Sequence, residues 1–482
     1  MNLRAVALLL LLTVLPKFST ATVLTPVAIP TTNNIQTGLY SSFPVGVFTA
    51  NNTLATPFNI PATPGTCGPS GNAPCNFYDG FGTSGSGKSI TINVSIESPT
   101  DIYTLINAYS PPPGVQLATI QFVGTGGVSL TFPLIGGQDI RDFFQGAYVN
   151  SLTNGVTGVN ALNAFSCSNP STCLGAGGTG NVQTGLQGEY VADEQDFSLG
   201  LAFAGHTLTQ IIITDTNNGS VPILLGITAA SEGTPSINVN GVITGSGYGA
   251  YPQIAPDTYI EIYGSNLALD TRGWETSDFN GINAPTALDG SSVTIAGQSA
   301  FVNYISPSQI NALTPSGLPT GPQPLVVTTS AGVSNTYIVT VNAVEPGLLA
   351  PYAFLINGTQ YVVAQFLDGT YALPAGAIPG VTSRPANPGD IIVIYGIGFG
   401  PVTPATPAGQ LVSETATINA GLEIAIGGVP ATVLYAGVAP SFTGLYQFNV
   451  TVPNAPAGDT IPVTFSLGGA PSPQILNIAV QN

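Results

Sequence analysis

The segment Ser89-Ile90-Thr91-Ile92-Asn93-Val94-Ser95-Ile96 alternates polar and apolar residues, and Leu117 to Phe122 and Val128 to Phe132 repeat the pattern. A period of two places all the apolar side chains on one face of a half-buried strand. Leu208 to Thr214 and Ile223 to Thr228 add further strands, separated by breaks such as Gly124-Thr125-Gly126-Gly127 and Asn217-Asn218-Gly219. No helical periodicity lies between them, so crossover helices, and with them a parallel α/β fold, are excluded. Strands without crossovers pair antiparallel and bury their apolar faces by stacking sheets or closing a barrel. The expected fold is all-β, beginning with a jelly-roll-like β-sandwich.

Charge narrows the partners. The chain carries 23 acidic residues and only six Lys or Arg, a formal net charge of −17. Beyond Ala21 the only cations are Lys88, Arg141, Arg272 and Arg384. Such a surface cannot neutralise phosphates and is repelled by anionic lipid, which excludes nucleic-acid binding and electrostatic membrane association.

The first residues read as an export signal. Arg4 is the basic start, Ala5 to Leu15 an apolar run, and Ser19-Thr20-Ala21 the small residues of a cleavage site. The run is closed by Pro16 and Lys17 and falls well short of the ~20 residues of a membrane-spanning helix. We therefore expect cleavage after Ala21, no membrane insertion afterwards, and a secreted, extracellular or cell-surface protein, with the periplasm as the other compartment open to it. In such a compartment the close pairs Cys67 with Cys75 and Cys167 with Cys173 read as two local disulfides. Their spacings are not those of a zinc site, and His206 is the sole histidine.

Between Ser231 and Pro252 the chain turns to Ser, Gly, Thr, Pro and Asn, the composition of a linker. Beyond it lies an internal repeat. Asp257-Thr258-Tyr259-Ile260-Glu261-Ile262-Tyr263-Gly264 returns as Asp390-Ile391-Ile392-Val393-Ile394-Tyr395-Gly396, and Gln309-Ile310-Asn311 returns as Gln447-Phe448-Asn449. The expected organisation is a signal peptide (1–21), a sandwich with two disulfides (22–232), a linker (233–253) and two further domains (254–343 and 344–482).

The repeated unit joins Ile-Tyr-Gly, Ile-x-Gly-x-x-Ala and Gln-x-Asn-x-x-x-Pro, and it resembles the IPT/TIG class of immunoglobulin-like domains. With Tyr304-Ile305-Ser306-Pro307 before Gln309, and Tyr435 to Pro440 before Gly444-Leu445-Tyr446, the stretch from Ile254 to Asn482 resembles the Solibacter-type C-terminal domain family of secreted acidobacterial proteins. The resemblance implies two immunoglobulin-like sandwiches and export; no activity attaches to the family. Asp257 departs from the family's usual Ala-Pro-Gly at the start of the first domain. The N-terminal half resembles, more loosely, secreted jelly-roll or galactose-binding-like modules, through Asp101 to Tyr109, Asp139 to Asp142 and Phe203 to Ile211.

Catalytic constellations are sparse. A serine hydrolase needs a histidine facing a nucleophile, yet His206 stands alone and no Gly-x-Ser-x-Gly elbow is present. A glycoside hydrolase is the least favoured reading, because Trp274 is the only tryptophan available to line a sugar cleft. No cofactor is expected other than a structural calcium. The oxygens of Asp193, Glu194 and Asp196 would suit that ion, and the other reading of this run is a solvated acidic turn. Arg141 beside Asp139 and Asp142 reads as a surface ion pair. Any ligand site is expected on loops of the N-terminal sandwich bearing Tyr78, Asp79, Asp139, Arg141, Asp142 and Tyr148. The function expected first is non-catalytic display or adhesion toward a cell-surface protein or extracellular glycan; the alternative is an accessory glycan-binding protein.

Overall fold

A computed structural model describes residues 23–29, 46–50, 55–60, 66–67, 73–74, 89–109, 111–142, 152, 160–167, 190–216, 218, 220–247 and 250–481. Its regular elements are strands and short 3₁₀ turns, the all-β class expected from the alternation. The chain divides into two compact units, Ala21–Gly233 and Thr234–Asn482.

The N-terminal unit contains β1 (Val23–Pro26), β2 (Gly46–Thr49), β3 (Pro57–Ile60), β4 (Thr66–Cys67), β5 (Ala73–Pro74), β6 (Ser89–Glu97) and β7 (Pro99–Tyr109). It continues with β8 (Gln116–Gly124), β9 (Ser129–Ile135), β10 (Asn160–Cys167), β11 (Tyr190–Ser198), β12 (Thr207–Asp215) and β13 (Val221–Ser231). One sheet has the order β1-β13-β7-β11-β10, the other β6-β12-β8-β9, and every pairing in both is antiparallel. The alternation fixes the faces: Ile90 and Ile92 of β6 turn inward, as do Ile120 and Phe122 of β8 and Ile211 and Ile213 of β12. They meet Ile102, Ile106, Phe197, Leu224 and Ile227 of the facing sheet in one core. Phe122, Phe132 and Phe197 pack at its centre with ring centroids 5.4–5.9 Å apart, in the tilted and edge-on geometries that aromatic quadrupoles favour. Cys75 and Cys173, which the expected disulfides require, lie outside the described residues.

The C-terminal unit holds two sandwiches that share one plan. In the first, Tyr259–Ser265 pairs with Gln309–Leu313, which pairs with Phe301–Ser306; in the second, Ile391–Ile397 pairs with Tyr446–Thr451, which pairs with Thr432–Val438. The repeated motifs occupy equal register positions. Tyr263 lies opposite Gln309 and Tyr395 opposite Gln447. In each copy the glutamine Nε2 donates to the asparagine two residues on, at 2.8 Å. Both copies also carry a bulge before a tyrosine, between Val302 and Tyr304 and between Val433 and Tyr435. The two copies thus agree in pairing, bulge and side-chain bond.

The region expected as linker, 233–253, is largely structured. Ser236–Thr244 is a strand paired with Tyr259–Ser265, at the edge of the first sandwich. Its register breaks between Ile237 and Val242, and Asn240 has φ 56°. That break interrupts the alternation and leaves a composition that reads as linker. Just beyond it, Ala350 of the second sandwich donates its N–H to the Ser246 carbonyl at 2.9 Å. A fragment beginning at Thr234 should therefore unfold cooperatively on its own. One beginning at Gly249 loses the edge strand and should unfold at markedly lower urea concentration; equal midpoints would show that the strand adds nothing.

Between the two sandwiches runs a second apolar cluster. Tyr259 and Leu313 of the first join Leu349, Tyr395, Ile397, Ala408, Ala439 and Leu445 of the second, each at most 8% exposed. Polar bonds reinforce it: Tyr259 donates its hydroxyl to the Thr443 carbonyl at 3.1 Å, and Leu411 its N–H to the Ile282 carbonyl at 2.9 Å. Burial of this kind, about 25 cal/mol per Å² of apolar surface, holds the sandwiches as one body.

Candidate functional site

β11 carries the run Asp193-Glu194-Gln195-Asp196, and the pleat of the strand divides it. Gln195 lies opposite Thr104, and Phe197 opposite Ile102, on the core face. Glu194 and Asp196, opposite Leu105 and Tyr103, point the other way.

Around Asp193 and Gln195 a buried polar network takes the place of the ligand site expected of Asp139, Arg141 and Asp142. Arg141 reaches Asp193 with two parallel bonds, Nε to Oδ2 at 2.9 Å and Nη2 to Oδ1 at 2.8 Å. Asn107 Nδ2 donates to Asp193 Oδ2 at 2.7 Å, while the Asp193 N–H donates to Asn107 Oδ1 at 2.9 Å. Gln195 accepts from Thr104 Oγ1 and from the Ile106 N–H at Oε1, and donates through Nε2 to the carbonyls of Ile106 and Asp139. Asp139 Oδ2 accepts the Ile135 N–H at 2.9 Å. The segment around Arg141 docks on β7, where the Ala108 N–H donates to the Arg141 carbonyl at 2.9 Å.

Two expectations are corrected here. Asp139, Arg141 and Asp142 are 0%, 7% and 2% exposed, so they do not form a loop platform for a ligand. The ion pair of Arg141 is buried and made with Asp193, which β11 supplies from far along the chain, a distance that reading neighbouring residues does not bridge. Of the residues suggested for calcium, Asp193 is bonded to Arg141 and Asn107, while Glu194 and Asp196 belong to the patch around Asp101 and Tyr103. Among the described residues no group of three or more His, Cys, Asp or Glu is placed to hold a metal ion. Tyr78, Asp79 and Tyr148 lie outside the described residues. His206 is half-buried beside the Thr125–Gly127 turn, its ring 3.0 Å from where a Cβ on Gly126 would lie.

The outer face holds a patch in which Glu194 and Asp196, named from the sequence as site residues, meet Asp101 and Tyr103, which were not. Asp196 stands opposite Tyr103, and Ser198 opposite Asp101. Burial pushes the Asp196 carboxyl up to about 7, helped by the charges of Asp101 and Glu194. Burial also raises Asp101, against hydrogen bonds from Thr100 and Ser198, and it raises the Tyr103 phenol together with the neighbouring carboxylates. The signal for this patch was the spacing of Asp101 and Tyr103 two residues apart on β7, opposite acids of a strand 90 residues later that only pairing brings near.

The patch has a pH signature. The unfolded chain releases the Asp196 proton near 3.8, whereas the folded chain holds it to about 7. Between those values the folded state binds the extra proton, so stability falls as pH rises. Asp196→Asn should flatten this slope and make the N-terminal unit more stable than the wild type above about pH 7. Urea midpoints at several pH values would show it; an unchanged slope would refute the assignment.

No family model matches the chain, and no curated protein matches it in sequence. Among solved structures it is similar to the gamma-CGTase of alkalophilic Bacillus clarkii (16% identity over 55% of this chain and 30% of that one, TM-score 0.17). It is also similar to SGBP-B of a Bacteroides ovatus mixed-linkage glucan utilization locus, in complex with a mixed-linkage heptasaccharide (12%, 63% of this chain and 58% of that one, TM-score 0.21). A third is the adhesin domain of Epf from Streptococcus pyogenes (8%, 53% and 71%, TM-score 0.18). The chain spans less than two thirds of the first two, and likeness this faint bears on neither fold nor function.

Proposed function

We propose that this is an extracellular display or adhesion protein that works without catalysis, its paired C-terminal sandwiches serving as a stiff support and its N-terminal sandwich as the recognition module. The observation that carries this reading is the apolar seam through Tyr259, Leu313, Tyr395 and Leu445, which turns two repeats into one body. A flexible tether would need no such seam, and an inter-domain interface with a hydrophobic core resists relative motion. The acidic, cation-poor surface suits a protein that stays soluble outside the cell and does not cling to nucleic acid or anionic lipid. Among the described residues no helix is long and apolar enough to cross a membrane. The partner would be a cell-surface protein or an extracellular glycan. Antibody labelling of intact producing cells tests the reading: external protease should remove the label, and label that appears only after permeabilisation would reject it.

The outer patch of the N-terminal sandwich favours a second reading, accessory glycan binding. Tyr103 between Asp101 and Asp196 offers a ring edge and acceptors for sugar hydroxyls. Screening the full chain and its Tyr103→Ala variant on a glycan array tests it. Binding lost in the variant supports glycan recognition on this patch, and binding equal in both removes the patch from consideration.

A further inference from the structure

The strand registers of the two repeats place Asp257 opposite an unexpected counterpart. Tyr259 pairs with Leu313 where Ile391 pairs with Thr451, so Thr258 corresponds to Asp390 and Asp257 to Gly389. The backbone bonds agree: Thr314 donates to the Thr258 carbonyl as Val452 does to that of Asp390. Aligning the two aspartates by sequence therefore puts the first copy one residue out of step. Both Asp257 and Gly389 adopt left-handed backbone, with φ 56° and 88°. Glycine takes that conformation freely, whereas a residue with a Cβ does so at a cost of ~1 kcal/mol or more. The first repeat bears this cost, and what it gains is a carboxylate.

That carboxylate lines a cavity of about 320 Å³ at the junction of the two C-terminal sandwiches, with Ser316, Pro401, Pro407, Thr443 and Tyr446. Ser316 Oγ donates to Asp257 Oδ1 at 2.6 Å and accepts the Ala408 N–H at 2.8 Å, so the carboxylate is oriented from both sandwiches. No cation of the described chain neutralises it. Arg141 is paired with Asp193, Arg272 with Asp278 and Asp289, and Arg384 with Asp390. Burial raises the Asp257 carboxyl, and its charge in turn helps raise the phenol of Tyr446.

We propose that this cavity binds a primary ammonium group on an aliphatic stem, with Asp257 as the counter-ion. The walls are aliphatic where a methylene chain would lie, at Pro401, Val402, Pro407 and Val438. The Tyr446 ring is 2% exposed and its hydroxyl donates to the Gly400 carbonyl, so it offers no open face on which a sugar could stack. The volume lies at the small end of ligand sites, room for one extended amine and not for a polymer. A half-buried carboxylate without a cation is partly desolvated, and an incoming ammonium offsets that cost. The same chemistry is offered by a free alkylamine and by a lysine side chain of a partner.

Titration of the full chain with pentylamine, with Nα-acetyl-lysine amide and with neutral pentanol, followed by ligand-observed NMR, tests the site. Saturable binding of at least one ammonium compound is expected, with none by pentanol, and should weaken tenfold or more in Asp257→Asn. Asp257→Gly restores the glycine of the other repeat, so it should fold at least as stably as the wild type and still lose binding. Preference for the lysine derivative would point to a partner protein, and equal binding of both amines to a small-molecule ligand. Binding that survives in Asp257→Gly, equal binding of pentanol, or no binding of either amine by the wild type would overturn the proposal.

Discussion

Asp193→Ala should destabilise the N-terminal sandwich by about 3–5 kcal/mol, the cost typical of removing one partner from a buried ion pair. The variant leaves the guanidinium of Arg141, with a side chain only 9% exposed, facing a void where a bidentate carboxylate had been. It also takes the acceptor from Asn107 Nδ2, leaving Asn107 only the bond its Oδ1 accepts from the backbone N–H of residue 193. The pair itself need not be a large net stabiliser, since desolvating both charges offsets most of their attraction. A double replacement, Arg141→Met with Asp193→Leu, should therefore recover much of the loss. The chain offers a clean internal control. Trp274, the only tryptophan, packs on Phe279 in the C-terminal unit, with centroids 5.0 Å apart, so its fluorescence reports that unit alone. Urea unfolding should show the circular-dichroism transition of the N-terminal unit moved to lower urea while the tryptophan transition stays in place. A single variant as stable as the wild type would mean that the network is not closed as described.

The second large effect is expected at Gly409. Its φ is 77°, and a Cβ there would lie 2.1 Å from Cε1 of Phe301, across the seam between the two C-terminal sandwiches. Gly409→Ala must both strain the backbone and displace a ring, so a loss of about 3 kcal/mol is expected. In a unit of this size that corresponds to a melting temperature lower by about 6–12 °C. Because the clash is with one named ring, Phe301→Ala in the same chain should restore part of the loss, and the two changes should be non-additive. Additive effects would show that Gly409 acts through its backbone alone.

How much of this was readable in advance depended on the distance over which each feature is built. The alternation of Ser89 to Ile96 foretold a strand with Ile90 and Ile92 inward, because the pleat is a local property. The repeat foretold a shared plan, and Gln309 and Gln447 do hold equal places in it. The linker reading failed at Ser236–Thr244, because the irregular register there breaks the alternation on which the reading relied. The site residues fared differently. Asp139, Arg141 and Asp193 are charged, and charge in a Gly-rich neighbourhood reads as exposed loop; only the pairing of β11 with β7 brings Asp193 to Arg141 and lets both be buried. Asp257 was visible in the sequence, but its meaning depended on matching it to Gly389. That match needs strand register, since sequence alignment prefers aspartate opposite aspartate.

The support proposed for the C-terminal unit rests on the two sandwiches moving as one body, and a distance measurement tests that directly. All four cysteines lie in the N-terminal half, so the fragment from Thr234 contains none and accepts two introduced labels. Val333 of the first sandwich and Ile475 of the second are exposed, at 55% and 71%, and tolerate replacement. Spin labels at Val333→Cys and Ile475→Cys, read by pulsed electron–electron resonance, should give one narrow distance distribution that Gly409→Ala broadens. A broad or multiple distribution in the otherwise unaltered fragment would contradict the account.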